Sequence, residues 1–126
     1  MISRSWDDTP VEMAMPPMAE TRTTEGGGMT IAFERIAAGV ETAPLFRGLP
    51  DDACQSPHWG YLVKGRARVV ATDGTELVLE AGQAYYLAPG HNVVIDEDCE
   101  FVEFSPAAAR AETMEHAGRM AASLAG

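Results

Sequence analysis

The sequence predicts an all-β fold: a small closed sheet followed by one C-terminal α-helix. Three observations carry this expectation. Between residues 29 and 104, short runs of Val, Ile, Leu, Tyr and Phe recur at regular spacing with turn residues between them, the pattern of a sandwich or barrel. Asp73-Gly74 is a strong hairpin signal, because both residues tolerate positive φ. A 3.6-residue apolar period appears only at the end, where Met114, Ala117, Ala121 and Leu124 fall three or four apart.

Taken in order, residues 1–28 read as a flexible or arm-like segment. Pro10, Pro16, Pro17 and the run Gly26-Gly27-Gly28 punctuate it without a period. Trp6, Met13, Met15 and Met18 are unusual in a loose tail, and an arm laid on its own barrel or on a partner would explain them. Residues 29–105 form the β domain. Met29–Ile36 is its first strand and Val40–Phe46 a short second one before the loop Arg47–Asp52. Trp59–Val63 follows, closed by a turn at Lys64-Gly65. Ala67–Thr72 and Glu76–Glu80 make the hairpin around Asp73-Gly74. Tyr85–Leu87 and Asn92–Ile95 are strands on either side of Pro89-Gly90, and the acidic loop Asp96–Asp98 leads to Glu100–Phe104. Residues 106–126 form the helix, with Ser105 as N-cap, Pro106 at the first helical position and Gly126 at its end.

The balance of 9 Lys and Arg against 19 Asp and Glu, a net charge of −10, repels phosphate backbones and argues against nucleic-acid binding. No apolar run reaches the roughly 20 residues of a membrane span. Two cysteines, Cys54 and Cys99, give no disulfide framework; they point to a reducing compartment, with two free thiols or one bound to a metal. A cytoplasmic location is expected.

The chemistry concentrates in Cys54-Gln-Ser-Pro-His58-Trp-Gly-Tyr-Leu-Val-Lys-Gly65 and in Gly82–Val94, which contains Pro89-Gly90-His91. Thiolate and imidazole suit Zn²⁺, so Cys54, His58 and His91 are the candidate metal ligands. Asp52 is a fourth candidate, because 52, 54 and 58 share parity and an extended chain turns them to one face. The competing reading is a metal-free core, in which a buried Cys is a small hydrophobe and a buried His bonds a neighbour. Cys54 as a nucleophile with His58 as its base is a further option. One of Tyr85 and Tyr86 must face inward, and it and Trp59 are candidate ligand contacts.

The stretch from about Met29 to Phe104 resembles the cupin superfamily, small jelly-roll barrels. Its first motif reads Gly, five residues, His-x-His, three or four residues, Glu, six residues, Gly. Counted back from Gly65, His58 takes the Glu position, Cys54 the second His and Asp52 the first. Its second motif reads Gly, five residues, Pro-x-Gly, two residues, His, three residues, Asn. From Gly82 it matches Gly90, shifts the Pro to Pro89, and places Val93 and Glu97 at the His and Asn positions. The resemblance implies a jelly-roll barrel, a divalent metal inside it (zinc for this donor set), a small-molecule ligand and a homodimer. The expected role is that of a small-molecule-binding protein with a metal site. The alternatives are a metal-dependent isomerase, cyclase or lyase acting on a small polar metabolite, and a metal-free sensor or accessory domain. No catalytic residue is identified.

Overall fold

The computed structural model describes residues 1–125; Gly126, expected to end the helix, lies outside them. The strands are β1 (Val11–Met15), β2 (Ala19–Gly26), β3 (Met29–Ile36), β4 (His58–Ala71), β5 (Glu76–Glu80), β6 (Ala84–Leu87) and β7 (His91–Pro106). The helices are α1 (Ala43–Phe46) and α2 (Ala107–Ala125). All strand pairs are antiparallel and form one curved sheet in the order β1-β2-β3-β7-β4-β5, with β6 paired to β4.

The long strands β4 and β7 are the spine. The first part of β4 pairs with β6 (Trp59 opposite Tyr86) and its second part with β5 (Val69 opposite Leu77), while β7 runs along its whole length. The turn expected at Lys64-Gly65 and the loop expected at Asp96–Asp98 are not breaks. They are facing irregularities inside two continuous strands, with register shifts between Leu62 and Ala67. Gly65 has φ +93°, and a Cβ there would overlap the Asp98 carbonyl, so only glycine lets the two bent strands approach so closely. Leu62, Ala67, Val69, Leu79, Leu87, Ile95 and Phe101 fill the barrel behind this bend.

Three other expectations change. Residues 1–28, expected as a flexible or arm-like segment, carry two strands: β1 and β2 extend the main sheet, with all eight residues of β2 in register against β3. The strand expected over Val40–Phe46 is reduced to a bridge between Glu41 and Val94, after which α1 begins with Pro44 in its first turn, where the missing N–H is no loss. Ser105 and Pro106 end β7, and α2 starts one residue later.

The helices close the mouth of the barrel. Ala117 of α2 packs with Phe46 of α1 and with Cys54, and Leu124, expected in the apolar stripe, is exposed. Arg110 of α2 is buried and makes a two-pronged ion pair with Glu12 of β1, at 2.6 and 3.0 Å. The Glu12 carboxylate also accepts from the hydroxyls of Thr21 and Thr23. Burial favours the proton on Glu12, but Arg110 and these hydroxyls outweigh it and hold the carboxyl below its usual range. The N-terminal hairpin is thereby anchored to the C-terminal helix.

Candidate functional site

Three backbone features bring Cys54, His58 and His91 together. Cys54 bridges to His91 through its own N–H, 2.9 Å from the His91 carbonyl, and accepts from the Gly90 N–H at 2.7 Å. His58 opens β4 on the inward face, in phase with Leu62. His91 opens β7 beside it. The ligand-capable atoms of the three residues lie within 4.8 Å of one another. Cys54 Sγ is 3.4 Å from His58 Nε2, and the two imidazole rings meet edge to face with centroids 5.1 Å apart.

Each imidazole is fixed from behind. His91 Nδ1 lies 2.7 Å from the Ala88 carbonyl, which can only accept, so this nitrogen carries the hydrogen and Nε2 keeps a lone pair. His58 Nδ1 lies 2.6 Å from the Ser105 hydroxyl and 4.0 Å from Glu103. A carboxylate on that side favours N–H at Nδ1 and leaves the Nε2 lone pair facing the thiol. Burial pushes both imidazoles down to about 4 and the Cys54 thiol up to about 11. At neutral pH all three groups are therefore uncharged.

They line a cavity of about 110 Å³ inside the barrel. One wall is apolar, built from Ile36, Leu87, Val93, Ile95 and Phe101, with Phe46 and Met114 at the helical end. The other holds Glu34 of β3, Glu103 of β7 and Arg110 of α2. Burial and the neighbouring Glu103 charge raise the Glu34 carboxyl well above its usual range, so it holds its proton and donates it toward Glu103. Tyr85 also donates to Glu103, at 2.6 Å. A larger cleft of about 430 Å³ lies outside the barrel at the N-terminal hairpin, lined by Trp6, Arg22 and Arg35, and none of the three candidate ligands borders it.

The other candidates from sequence separate from this cluster. Asp52 is exposed, and its carboxylate accepts from the Gly48 N–H. The parity argument fails there because 50–52 is a 3-10 turn in which Asp51 and Asp52 both have positive φ, so the chain is not extended up to Cys54. Trp59 and Tyr86 point outward and stack on each other at 5.1 Å; they do not line the cavity. Tyr85 is the inward-facing tyrosine, and it reaches the cavity only through Glu103. Four residues escaped the sequence reading: Glu34, Glu103, Ser105 and Arg110. Glu34 and Glu103 carried a signal, since both stand at inward positions of their strands, in phase with Ala32 and Phe101.

No family model matches the sequence, and no curated protein matches it. The structure is similar to an RmlC-like cupin from Shewanella frigidimarina, with 17% identity, 82% of this chain and 88% of that chain covered, and a TM-score of 0.59. It is similar to ectoine synthase from P. lautus, with 15% identity, coverage of 84% and 78%, and a TM-score of 0.61. Bacillus subtilis oxalate decarboxylase gives 18% identity and a TM-score of 0.57; 84% of this chain matches 30% of that longer one. Identities this low speak to architecture and not to activity. The curved antiparallel barrel capped by a helix therefore has a cupin fold, that of the RmlC-like cupin, and shares its architecture with the other two structures.

Proposed function

We propose that this barrel binds a small molecule at a divalent metal, zinc for preference, held by Cys54, His58 and His91. One observation carries the reading: a thiol and two imidazole lone pairs converge within 4.8 Å in a buried cavity. The donor set fits the ion. One sulfur and two nitrogens match a three-ligand zinc site with a position left for water or ligand, and both rings have the outer hydrogen bonds that fix ligand orientation. Charge fits too, since loss of the Cys54 proton and the Glu103 carboxylate nearby would offset two positive charges. Such an ion acts as a Lewis acid toward a bound carbonyl or water.

A second reading, an isomerase, cyclase or lyase type of enzyme, is favoured by Glu34. A carboxyl that holds its proton in the same cavity is a group able to give it to a bound substrate. The reading of a metal-free binding domain is supported by a different feature. Among the described residues every buried polar side-chain atom has a hydrogen-bond partner, so the cavity is satisfied without an ion.

Elemental analysis of protein purified without chelators, followed by zinc titration against a chromophoric competitor, tests the proposal. Near-stoichiometric zinc in the wild type, lost in Cys54→Ser and His58→Ala, is the expected result. A wild type that takes up no zinc leaves the metal-free reading.

A further inference from the structure

The inner cavity ends at a thin wall. Leu87 and His91 border it, and both also border a second cleft of about 190 Å³ on the outside of the barrel. No other lining residue is common to the two spaces. His91 is held by the Ala88 carbonyl and faces Cys54, so the side chain of Leu87, opposite His58 in the β4–β6 pairing, is the movable part of the wall.

The cleft lies at a seam of the sheet. β5 and β6 pair with opposite halves of β4 and not with each other. β4 bends at Gly65, and Leu77 at the outer edge of β5 then stands across one opening from Tyr86 at the end of β6. The lining is apolar, with Val69, Ala71, Leu77, Tyr86 and Pro89, and it holds no lysine or arginine. Its one carboxylate, Glu76, is turned to Arg68 at 3.5 Å. Leu77 and Tyr86 are 46% and 52% exposed, an apolar rim with nothing of this chain laid over it. Such a cleft suits an uncharged apolar group. Volume points the same way. The inner cavity of about 110 Å³ falls short of the roughly 300–1,000 Å³ of common ligand pockets, and the cleft supplies further room directly behind Leu87.

We infer that the ligand of this barrel is a small amphiphile, with a polar head at Cys54, His58 and His91 and an aliphatic tail that passes Leu87 into the cleft between β5 and β6. The inference rests on the metal reading for the head and on the shared wall for the tail. The gap left when one leucine changes rotamer admits a polymethylene chain and not a ring. Leu87 therefore selects the shape of the tail, and Leu77 and Tyr86 its polarity.

Isothermal titration calorimetry of the zinc-loaded full chain with acetohydroxamate, butanohydroxamate, hexanohydroxamate and octanohydroxamate tests it. The zinc-binding head is the same throughout, so a gain along the series belongs to the tail. Affinity should rise about threefold for each methylene buried. Leu77→Glu should cancel most of the gain for the two longest chains and leave acetohydroxamate unchanged. Leu124→Glu, at the exposed end of α2, should keep the full gain, which separates the cleft from general adhesion of alkyl chains. Leu87→Ala should speed the association of octanohydroxamate; if circular dichroism shows that this variant does not fold, Leu77→Glu decides alone. A chain that takes up zinc and binds all four hydroxamates alike, or a gain indifferent to Leu77→Glu, overturns this inference and leaves the metal reading standing. A chain that takes up no zinc overturns both.

Discussion

His58 Nδ1 and the Ser105 hydroxyl meet at 2.6 Å, joining the first residue of β4 to the penultimate residue of β7. Through this contact a residue with no access to the cavity determines which nitrogen of His58 faces Cys54. Ser105 was expected to cap the helix. Its buried hydroxyl instead holds the imidazole from behind, and α2 begins without it.

Metal binding should release a proton. The free thiol stays protonated up to about 11, whereas a ligand must be a thiolate. The imidazoles, at about 4, are already neutral and release nothing at pH 7. Zinc titrations in two buffers of different ionisation enthalpy should therefore give one proton released per ion. Affinity should rise about tenfold per pH unit from above the imidazole range to the thiol range. Affinity independent of pH between 6 and 8 would remove Cys54 from the ligand set.

The metal-free protein should lose stability in acid. His58 and His91 titrate at about 4 when folded and near 6.5 when unfolded. A folded value below the unfolded one means that unfolding takes up protons as pH falls. The stability is complete above pH 6.5 and is lost progressively down to 4. Two such groups amount to on the order of 5 kcal/mol at the lower end. Glu34 acts in the opposite sense, since its raised carboxyl favours the fold as pH falls and offsets part of the loss. Urea unfolding at pH 7, 6, 5 and 4 should show the decline, and His91→Gln should flatten it. An acid limb unchanged by that substitution would mean that other groups control it.

The residues of the site are unevenly legible in the sequence. Cys54 and His58 were legible because their four-residue spacing is local, and His91 because it follows the Pro89-Gly90 turn. The hairpin at Asp73-Gly74 was legible for a similar reason: Asp73 bonds the N–H and hydroxyl of Thr75, a contact within three residues. Asp52 was misplaced because parity holds only while the chain is extended, and two residues at positive φ end it. The bent strands β4 and β7 looked like four short ones. Gly65 reads as a turn unless Asp98 is known to lie against it, and that contact spans more than thirty residues. Arg110 stands in an alanine-rich helix with nothing local to mark it, because its partner Glu12 lies 98 residues away.

That distant pair should be worth measuring. Arg110 is 6% exposed, and replacing it with Met leaves Glu12 without its cation beside Thr21 and Thr23. Glu12 retains some access to water, so the cost should fall near the lower end of that for breaking a buried pair, about 2–4 kcal/mol. Glu12→Gln should cost less, since the amide oxygen still accepts from Arg110. Urea midpoints for the two single variants and the double variant give the coupling energy. A coupling below about 0.5 kcal/mol would show that the hairpin is not anchored to α2 by this pair.

Gly60 should tolerate no side chain. A Cβ there would lie 2.5 Å from the Tyr85 hydroxyl and 2.8 Å from the Val102 carbonyl. Gly60→Ala must therefore move the Tyr85 ring away from Glu103 or open the β4–β7 pairing. A loss of about 1–3 kcal/mol is expected, as for other overpacked sites. The Tyr85 Cζ would also lie at 2.6 Å, so the double variant Gly60→Ala, Tyr85→Leu, measured against Tyr85→Leu alone, separates the two responses: Gly60→Ala should cost less in that background if the ring is what gives way, and as much if the Val102 contact dominates.

Ser105→Ala deletes one hydroxyl from the barrel wall and no atom from the ligand set. The His58 ring then loses the partner that turns Nε2 toward Cys54, although Glu103 at 4.0 Å remains on that side. Outer hydrogen bonds of this kind affect metal affinity by about ten- to a hundredfold, and zinc affinity should fall within that range while stoichiometry stays at one. Ser105→Thr keeps a hydroxyl at the same position and should recover most of the affinity. A purely structural role for Ser105 would lower the urea midpoint of the metal-free protein and leave zinc affinity unchanged. The two measurements on the same variant therefore distinguish a hydroxyl that positions His58 from one that only fills space.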